Sequence, residues 1–541
     1  MRYIMLQLES KFKINILWSK IWGTLQLMAK NSKLLLLAII LFSILIRLPY
    51  LNCPLQPDEG AYAYQAYFWL QGENPYNSRF FHMLPGLPFI FMLVFKLFGT
   101  NLVNLRVFIT FYNVLSTLFI YLVTCRLLEK KAALLSAFFF TYLSWLPIIR
   151  GCMGKEIFLL LPCLIALYFY LLHDKKLYYL FLCGLFSVLA ICIRQSSILL
   201  LGHFLLFLYL VEKQRVKKIA IFSLGIFIPL ILSSSYSYFF LGQEKFIYHI
   251  ISYRLTTNSI FVGPIWYHFL RFFYSIGATG FVFLFGACLW GWQFLPKNLF
   301  AKKFLVSYLL FSFGTIIIGG NWFFHYYLQL VPALSICLGW IGINMIGQER
   351  LKKIVFIALA SIPFLFYLLA AHHTCSHCLM PEENNHITTE IASYIKKYSS
   401  ANDKIYAFLY YNPSLYFLAQ RESGFPYLFR DETLFEPHRL KELTEAIKTN
   451  EITYLITHSL ENSIKIAKRR CDKNFNTMDK FFKKCFAKEF TPFCKNYPIQ
   501  LMLIKKFFSE IPKYYQLVKC IPFQEGKIII WRSKQKSCLN E

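Results

Sequence analysis

The chain has 541 residues, of which 57% are hydrophobic, 19% aromatic and only 16% charged. A soluble globular domain carries nearer half apolar and a quarter charged residues, so the composition excludes that class and points to a protein of the bilayer. The net charge of +29 does not call for nucleic acid: membrane proteins keep Lys and Arg in their cytoplasmic loops, and no zinc-finger, P-loop or dinucleotide-binding pattern is present.

Residues 1–33 form a basic, partly amphipathic stretch (Lys11, Lys13, Lys20, Lys30, Lys33). It lacks a signal-peptide pattern with a cleavage site and reads as a cytoplasmic surface segment. Apolar runs then predict about 11 transmembrane helices, near 34–51, 103–126, 131–149, 156–172, 177–193, 196–211, 219–240, 272–294, 304–320, 327–347 and 354–371. The connections between them alternate in charge. Arg126/Lys130/Lys131, Lys175/Lys176, Lys213/Arg215/Lys217/Lys218, Lys297/Lys302/Lys303 and Arg350/Lys352/Lys353 fall on one side, which the positive-inside rule assigns to the cytoplasm. The N-terminus is then inside, and the loop 52–102 and everything after residue 371 are outside.

Leu84 to Phe98 is apolar but short, with Pro85 and Pro88. Counting it as a span would invert every later loop, so it is expected to lie as an interfacial helix on the outer surface. The tail, 372–541, is long enough for one soluble domain. Ile387, Ile391, Ile395 and Tyr398 recur at helical spacing, Asn412-Pro413 suits a helix start, and 404–410, 452–456 and 527–531 read as strands. A small extracytoplasmic α/β domain is expected. Its seven cysteines (Cys375, Cys378, Cys471, Cys485, Cys494, Cys520, Cys538) are enough for three disulfides whose pairing the sequence does not give. The cluster His372 to Cys378 has metal-ligand residue types but no second ligand pair at finger spacing, so a disulfide or plain linker is the better reading.

Pro57-Asp58-Glu59-Gly60 follows the first span and opens an aromatic helix, Ala61 to Leu70, closed by Asn74-Pro75-Tyr76. Two adjacent carboxylates at a membrane surface are costly unless partnered or used; the plain alternative is a solvated turn. Other polar residues map to the same face: Arg150, Lys155 and Glu156 at one corner, Arg194-Gln195 between two spans, His325-Tyr326 before the tenth, and Arg254 and Arg271 on a long outer loop. Each has a plain reading as a snorkelling or capping residue. As a set, cations beside one carboxylate pair suit sugar transfer from a polyprenyl phosphate. The leaving phosphate needs positive charge rather than an acid, and the acceptor needs one base. Glycoside hydrolysis would use two separated carboxyls instead.

The sequence resembles bacterial type C glycosyltransferases of the dolichyl-phosphate-mannose–protein mannosyltransferase-like group, which includes lipid A aminoarabinose transferases. The resemblance runs in order through Arg47-Leu48-Pro49-Tyr50, Pro57-Asp58-Glu59-Gly60-Ala61-Tyr62, Gly72-Glu73-Asn74-Pro75-Tyr76, Phe95-Lys96-Leu97-Phe98-Gly99, Lys155-Glu156-Ile157-Phe158-Leu159-Leu160-Leu161-Pro162, Arg194-Gln195 and His325-Tyr326-Tyr327-Leu328-Gln329-Leu330-Val331-Pro332. It implies an outward-facing site and a polyprenyl-phosphate sugar donor without nucleotide. Asp58 matches the catalytic aspartate, with Glu59 in support. Glu156 matches an acidic position that binds metal or acceptor, so Asp58 and Glu156 are the candidate ligands should a divalent metal take part; no cofactor is implied with certainty. Arg194, beside Gln195, matches a basic position near the donor phosphate, and His325 and Tyr326 match a His-Tyr pair before the last-but-one span. Many relatives carry Lys-Pro after the first loop, where this chain reads Phe81-His82-Met83-Leu84-Pro85, leaving His82 or Arg79 as substitutes. Tyr62, Arg150 and Lys155 complete the candidate substrate-binding set.

The expectation is a polytopic α-helical membrane protein of the bacterial inner (plasma) membrane. It comprises segment 1–33, a transmembrane domain 34–371 and a soluble extracytoplasmic domain 372–541. Its function would be to move a sugar to a lipid, glycan or protein acceptor. The rival is a non-enzymatic flippase of lipid-linked sugars. That class should show charges midway along spans or two related halves, whereas the charges here sit at span ends.

Overall fold

The computed structural model describes residues 31–73, 84–149, 154–241, 265–320, 322–363, 383–409, 413–428, 437–449, 451–465, 497–523 and 526–537. The protein is mostly helical. Helices α1 (Ser32–Leu45), α2 (Pro57–Leu70), α3 (Gly86–Phe98), α4 (Leu102–Leu127), α5 (Lys130–Ile149), α6 (Lys155–Tyr170), α7 (Tyr178–Ile193) and α8 (Leu199–Leu210) follow one another. Then come α9 (Arg215–Leu241), α10 (Ile265–Ala278), α11 (Phe281–Trp290), α12 (Leu299–Gly319), α13 (Val331–Met345) and a further helical stretch at 350–363. Asparagines start several of them: Asn31, Asn101 and Asn298 each accept backbone N–H groups of the first turn at 2.8–3.5 Å, which satisfies donors that the helix cannot.

A helix covers each expected span at least in part. By length and composition, four described segments suffice to cross a bilayer: Ser32–Tyr50, Leu102–Leu127, Leu299–Gly319 and Phe324–Met345. The expected continuous span 272–294 is instead two helices, α10 and α11, bent by 83°. The break has a local cause. Gly280 sits at φ 70°, in the left-handed region, and Thr279 Oγ1 turns back to the Ser275 carbonyl at 2.8 Å. The stretch with two prolines, Leu84 to Phe98, does form a helix. It buries Leu87, Phe91, Val94 and Phe95 while exposing the equally apolar Phe89, Leu93 and Leu97, as suits a helix with protein on one side and lipid on the other.

Beyond residue 383 the chain changes character. Helices α14 (Glu383–Tyr398), α15 (Ser414–Ala419), α16 (Pro437–Lys448) and α17 (Tyr497–Tyr514) surround a four-stranded sheet of order β1-β2-β4-β3. The strands are β1 (Ile405–Phe408), β2 (Tyr454–His458), β3 (Tyr515–Phe523) and β4 (Gly526–Ser533). β1 and β2 are parallel, with Ile405 opposite Tyr454; the other pairs are antiparallel. Alternate residues of β1 serve two cores. Tyr406 and Phe408 join Leu440, Leu443, Ile504 and Phe507, while Ile405 and Ala407 join Ile391, Ile395 and the apolar interior of the helical region. A sheet covered on both faces explains why β1 and β2 are buried throughout. The three expected strands are present. β3 has no such signature in the sequence, because Lys519 and Pro522 interrupt it; it lies at the sheet edge, where a proline is tolerated. Among the tail cysteines, Cys520 is free and exposed; the other six lie outside the described residues.

Candidate active site

Pro57 opens α2 at its first helical position, which suits its fixed φ and missing N–H. Asp58 and Glu59 then fall in the first turn, where the helix dipole favours negative charge. The two carboxylates part company there. Glu59 is buried and Asp58 is exposed. Glu59 Oε2 accepts the Gln56 backbone N–H at 2.9 Å, and Arg106 of α4 grips both its oxygens, at 2.7 Å to Oε1 and 2.9 Å to Oε2. A bidentate guanidinium–carboxylate pair fixes orientation as well as charge. The same guanidinium donates to the carbonyls of Cys53 and Pro54, at 3.0–3.3 Å. Arg106 therefore pins the loop before α2 and the helix start to α4, and presents Asp58 at a set position.

Arg106 was not among the residues singled out by sequence. Its signal was a lone arginine one turn inside an apolar span, a position where a charge must find a partner. Arg47 behaves alike: it is buried at the end of α1 and bonded to the Ser43 carbonyl (2.8 Å), Ser43 Oγ (2.9 Å) and Ser144 Oγ (3.0 Å).

A second cluster gathers four predicted residues from three separate stretches of chain. Glu156 lies in the first turn of α6 and is fully buried. Arg194 terminates α7 in an extended conformation and forms a close ion pair with Glu156. Both charges sit at the helix end whose dipole favours them. Arg194 Nε donates to Ser196 Oγ at 2.8 Å, and its guanidinium lies 3.8 Å from the centre of the Tyr326 ring, a cation–π contact. His325 brings Nε2 to 3.9 Å from Glu156 Oε1. Gly319, near the end of α12, makes room for this: a Cβ there would stand 2.8 Å from both Arg194 Nη2 and Tyr326 Cε2.

The remaining predicted residues are placed as follows. Lys155 and Gln195 are half-buried beside Glu156 and Arg194. Tyr62 is buried edge-on to Phe91 (6.5 Å between centroids), and Phe91 packs on Phe158 (5.4 Å), two residues past Glu156. This ring chain links α2 to the start of α6. Arg271 is half-buried on α10. Arg79, His82, Arg150 and Arg254 lie outside the described residues. As for a divalent metal, Glu156 already neutralises a guanidinium, and among the described residues neither it nor Asp58 belongs to a group of three metal-ligating side chains. The donor set around Glu156 does not fit such an ion.

The tail is seated on α2. Gly60 has no room for a side chain: a Cβ would fall 2.5 Å from the Ser414 backbone nitrogen. Tyr64 Oη accepts the Ser423 N–H at 2.9 Å, the Tyr64 and Tyr416 rings meet at 5.4 Å, and Phe95 stacks on Phe417 at 5.4 Å.

The site thus combines an exposed carboxylate on a pinned loop helix, on which the α/β tail is seated, with a buried Glu–Arg–aromatic cluster at the start of α6. The fold is similar to that of ArnT and of an archaeal oligosaccharyltransferase, in keeping with the resemblance drawn from the sequence. Residues 82–239 match the family model described as dolichyl-phosphate-mannose-protein mannosyltransferase. The structure is similar to ArnT from Cupriavidus metallidurans bound to undecaprenyl phosphate, at TM-score 0.60 and 13% identity over 93% of this chain and 98% of that one. ArnT in the apo state gives TM-score 0.53 at 14% identity, over 80% and 93%. The apo oligosaccharyltransferase of Archaeoglobus fulgidus gives 0.51 at 13% identity, over 80% of this chain and 71% of that one. No curated protein sequence matches the chain.

Proposed function

We propose that the protein is an integral-membrane glycosyltransferase. It moves a sugar from a polyprenyl-phosphate donor to a lipid, glycan or protein acceptor on the outer face of a bacterial inner membrane, with residues 34–371 as the catalytic domain and 372–541 as an extracytoplasmic domain. One observation carries this reading: the Asp58–Glu59 pair is divided, Glu59 held by Arg106 and Asp58 exposed. One exposed carboxylate suits a single general base, not the two separated carboxyls of a hydrolase.

In this reading Asp58 takes the proton of the acceptor's hydroxyl or amine as that group attacks the anomeric carbon. The bond between that carbon and the phosphate oxygen breaks, and polyprenyl phosphate leaves with the electron pair. Arg194, with Lys155 and His325 beside it, is the cationic group for the developing charge on that phosphate. Glu156, Ser196 and the Tyr326 ring hold the guanidinium in one orientation, so it need not reorganise during the reaction. The seating of α15 on α2 supports a role for the tail in choosing the acceptor. Mass spectrometry of envelope lipids and glycoproteins from a deletion strain and its complemented partner tests the reading. A sugar missing only in the deletion strain identifies the transferred group and its acceptor. A missing sugar together with lipid-linked sugar that fails to reach the outer leaflet would point to the flippase instead, and unchanged envelopes would count against the transferase.

A further inference from the structure

At the opposite end of the bundle from Glu156, the α6–α7 and α8–α9 connections bring three side chains together. His173 Nδ1 is 2.5 Å from the Tyr170 carbonyl oxygen. A carbonyl only accepts, so Nδ1 carries the proton and the neutral ring turns the Nε2 lone pair the other way. It faces Glu212 Oε1 at 3.2 Å and Asp174 Oδ1 at 3.3 Å. Three electron-pair donors thus converge within 4.8 Å of one another, and His173, only 4% exposed, has no hydrogen-bond partner at Nε2. Lys218 on α9 binds the other oxygen of Glu212, Oε2, at 2.5 Å, leaving Oε1 to the cluster.

We infer that His173, Asp174 and Glu212 form a binding site for a divalent zinc-class cation that clips the two connections together. Donors on a tetrahedral zinc bonded at about 2.0–2.1 Å stand roughly 3.3 Å apart, and the two separations from Nε2 are 3.3 and 3.2 Å. The backbone carbonyl on Nδ1 is the outer partner that fixes a ligating histidine's tautomer. One nitrogen and two oxygens suit zinc better than magnesium or calcium. Asp174, 82% exposed, provides the entry side, and a fourth position is left for water.

The test uses the full chain, purified in detergent, stripped with a chelator, reloaded with zinc and desalted. Metal is counted by mass spectrometry and affinity measured by calorimetry. The His372 to Cys378 stretch has ligand types of its own, so the readout is the difference between wild type and variant. Wild type should retain one zinc per chain more than Glu212→Gln. Affinity should fall by more than the roughly 10–100-fold that outer-shell partners contribute. Asp174→Asn, at an exposed position, keeps the fold and should weaken zinc likewise. Cobalt in place of zinc should give a tetrahedral absorption spectrum in wild type and lose it in both variants. Equal zinc and unchanged cobalt spectra in wild type and Asp174→Asn would overturn the site; His173 would then carry a second proton shared with the carboxylates.

Discussion

Arg106 and Glu59 lie 47 residues apart in sequence and meet through two parallel hydrogen bonds of 2.7 and 2.9 Å, each side chain no more than 3% exposed. The pair converts a flexible-looking proline-acid turn into a fixed helix start. Breaking it from one side leaves the other charge buried, which typically costs about 3–5 kcal/mol. Arg106→Met and Glu59→Gln should each lower the thermal unfolding temperature of the detergent-purified protein sharply. The double variant should lose much less than the sum, because the interaction is shared. Strictly additive losses would mean that the pair does not anchor the loop.

Asp58→Asn separates stability from chemistry. The residue is exposed, and exposed substitutions usually stay within about 0.5 kcal/mol. The variant should insert and unfold like wild type while losing transfer from a lipid-linked sugar by about 10²–10⁴-fold, the usual contribution of a general base. An assay with a purified polyprenyl-phosphate sugar checks this; wild-type turnover in Asp58→Asn would remove the base assignment.

The second cluster has its own probe. Alanine in place of Gly319 gains about 0.5–1 kcal/mol of helix propensity, but overpacking costs about 1–3 kcal/mol. The added methyl would stand 2.8 Å from Arg194 Nη2 and from the Tyr326 ring edge, so the cost wins unless the ring moves. The expected result is a folded protein with the guanidinium displaced: KM for the lipid-linked donor rises several-fold while acceptor KM is little changed. An unchanged donor KM would place the phosphate elsewhere.

Much of this site was legible because charge is conspicuous in an apolar chain. Glu156, Arg194, His325 and Tyr326 were each visible as polar residues at predicted span ends, and the structure brings those four together. Arg106 was hidden by the same logic, since one cation near the start of a 26-residue apolar helix hardly alters its hydropathy. The bend at Gly280 was invisible because a hydropathy window reads through a single backbone angle. The seating of the tail could not be read at all. Its hydrogen bond joins Tyr64 to Ser423 across 359 residues, and no local pattern encodes a contact of that separation.

That seating yields the last prediction. Gly60 lies in the first turn of α2, and a Cβ there would come within 2.5–2.6 Å of the Ser414 backbone nitrogen and Cα. Backbone cannot swing aside as a long side chain can, so in Gly60→Ala either α2 or the start of α15 has to shift. Moving α15 would strain the Tyr64–Tyr416 and Phe95–Phe417 ring contacts and the Ser423 hydrogen bond together. The helix itself favours alanine by about 0.5–1 kcal/mol, which makes local unfolding of α2 the wrong explanation for any loss. Hydrogen exchange should therefore speed up in 414–423 and at Tyr64, with α16 and α17 on the far face of the sheet still protected. Unaltered exchange in 414–423 would show that the tail accommodates the methyl and that its grip on the loop helix is looser than these distances imply.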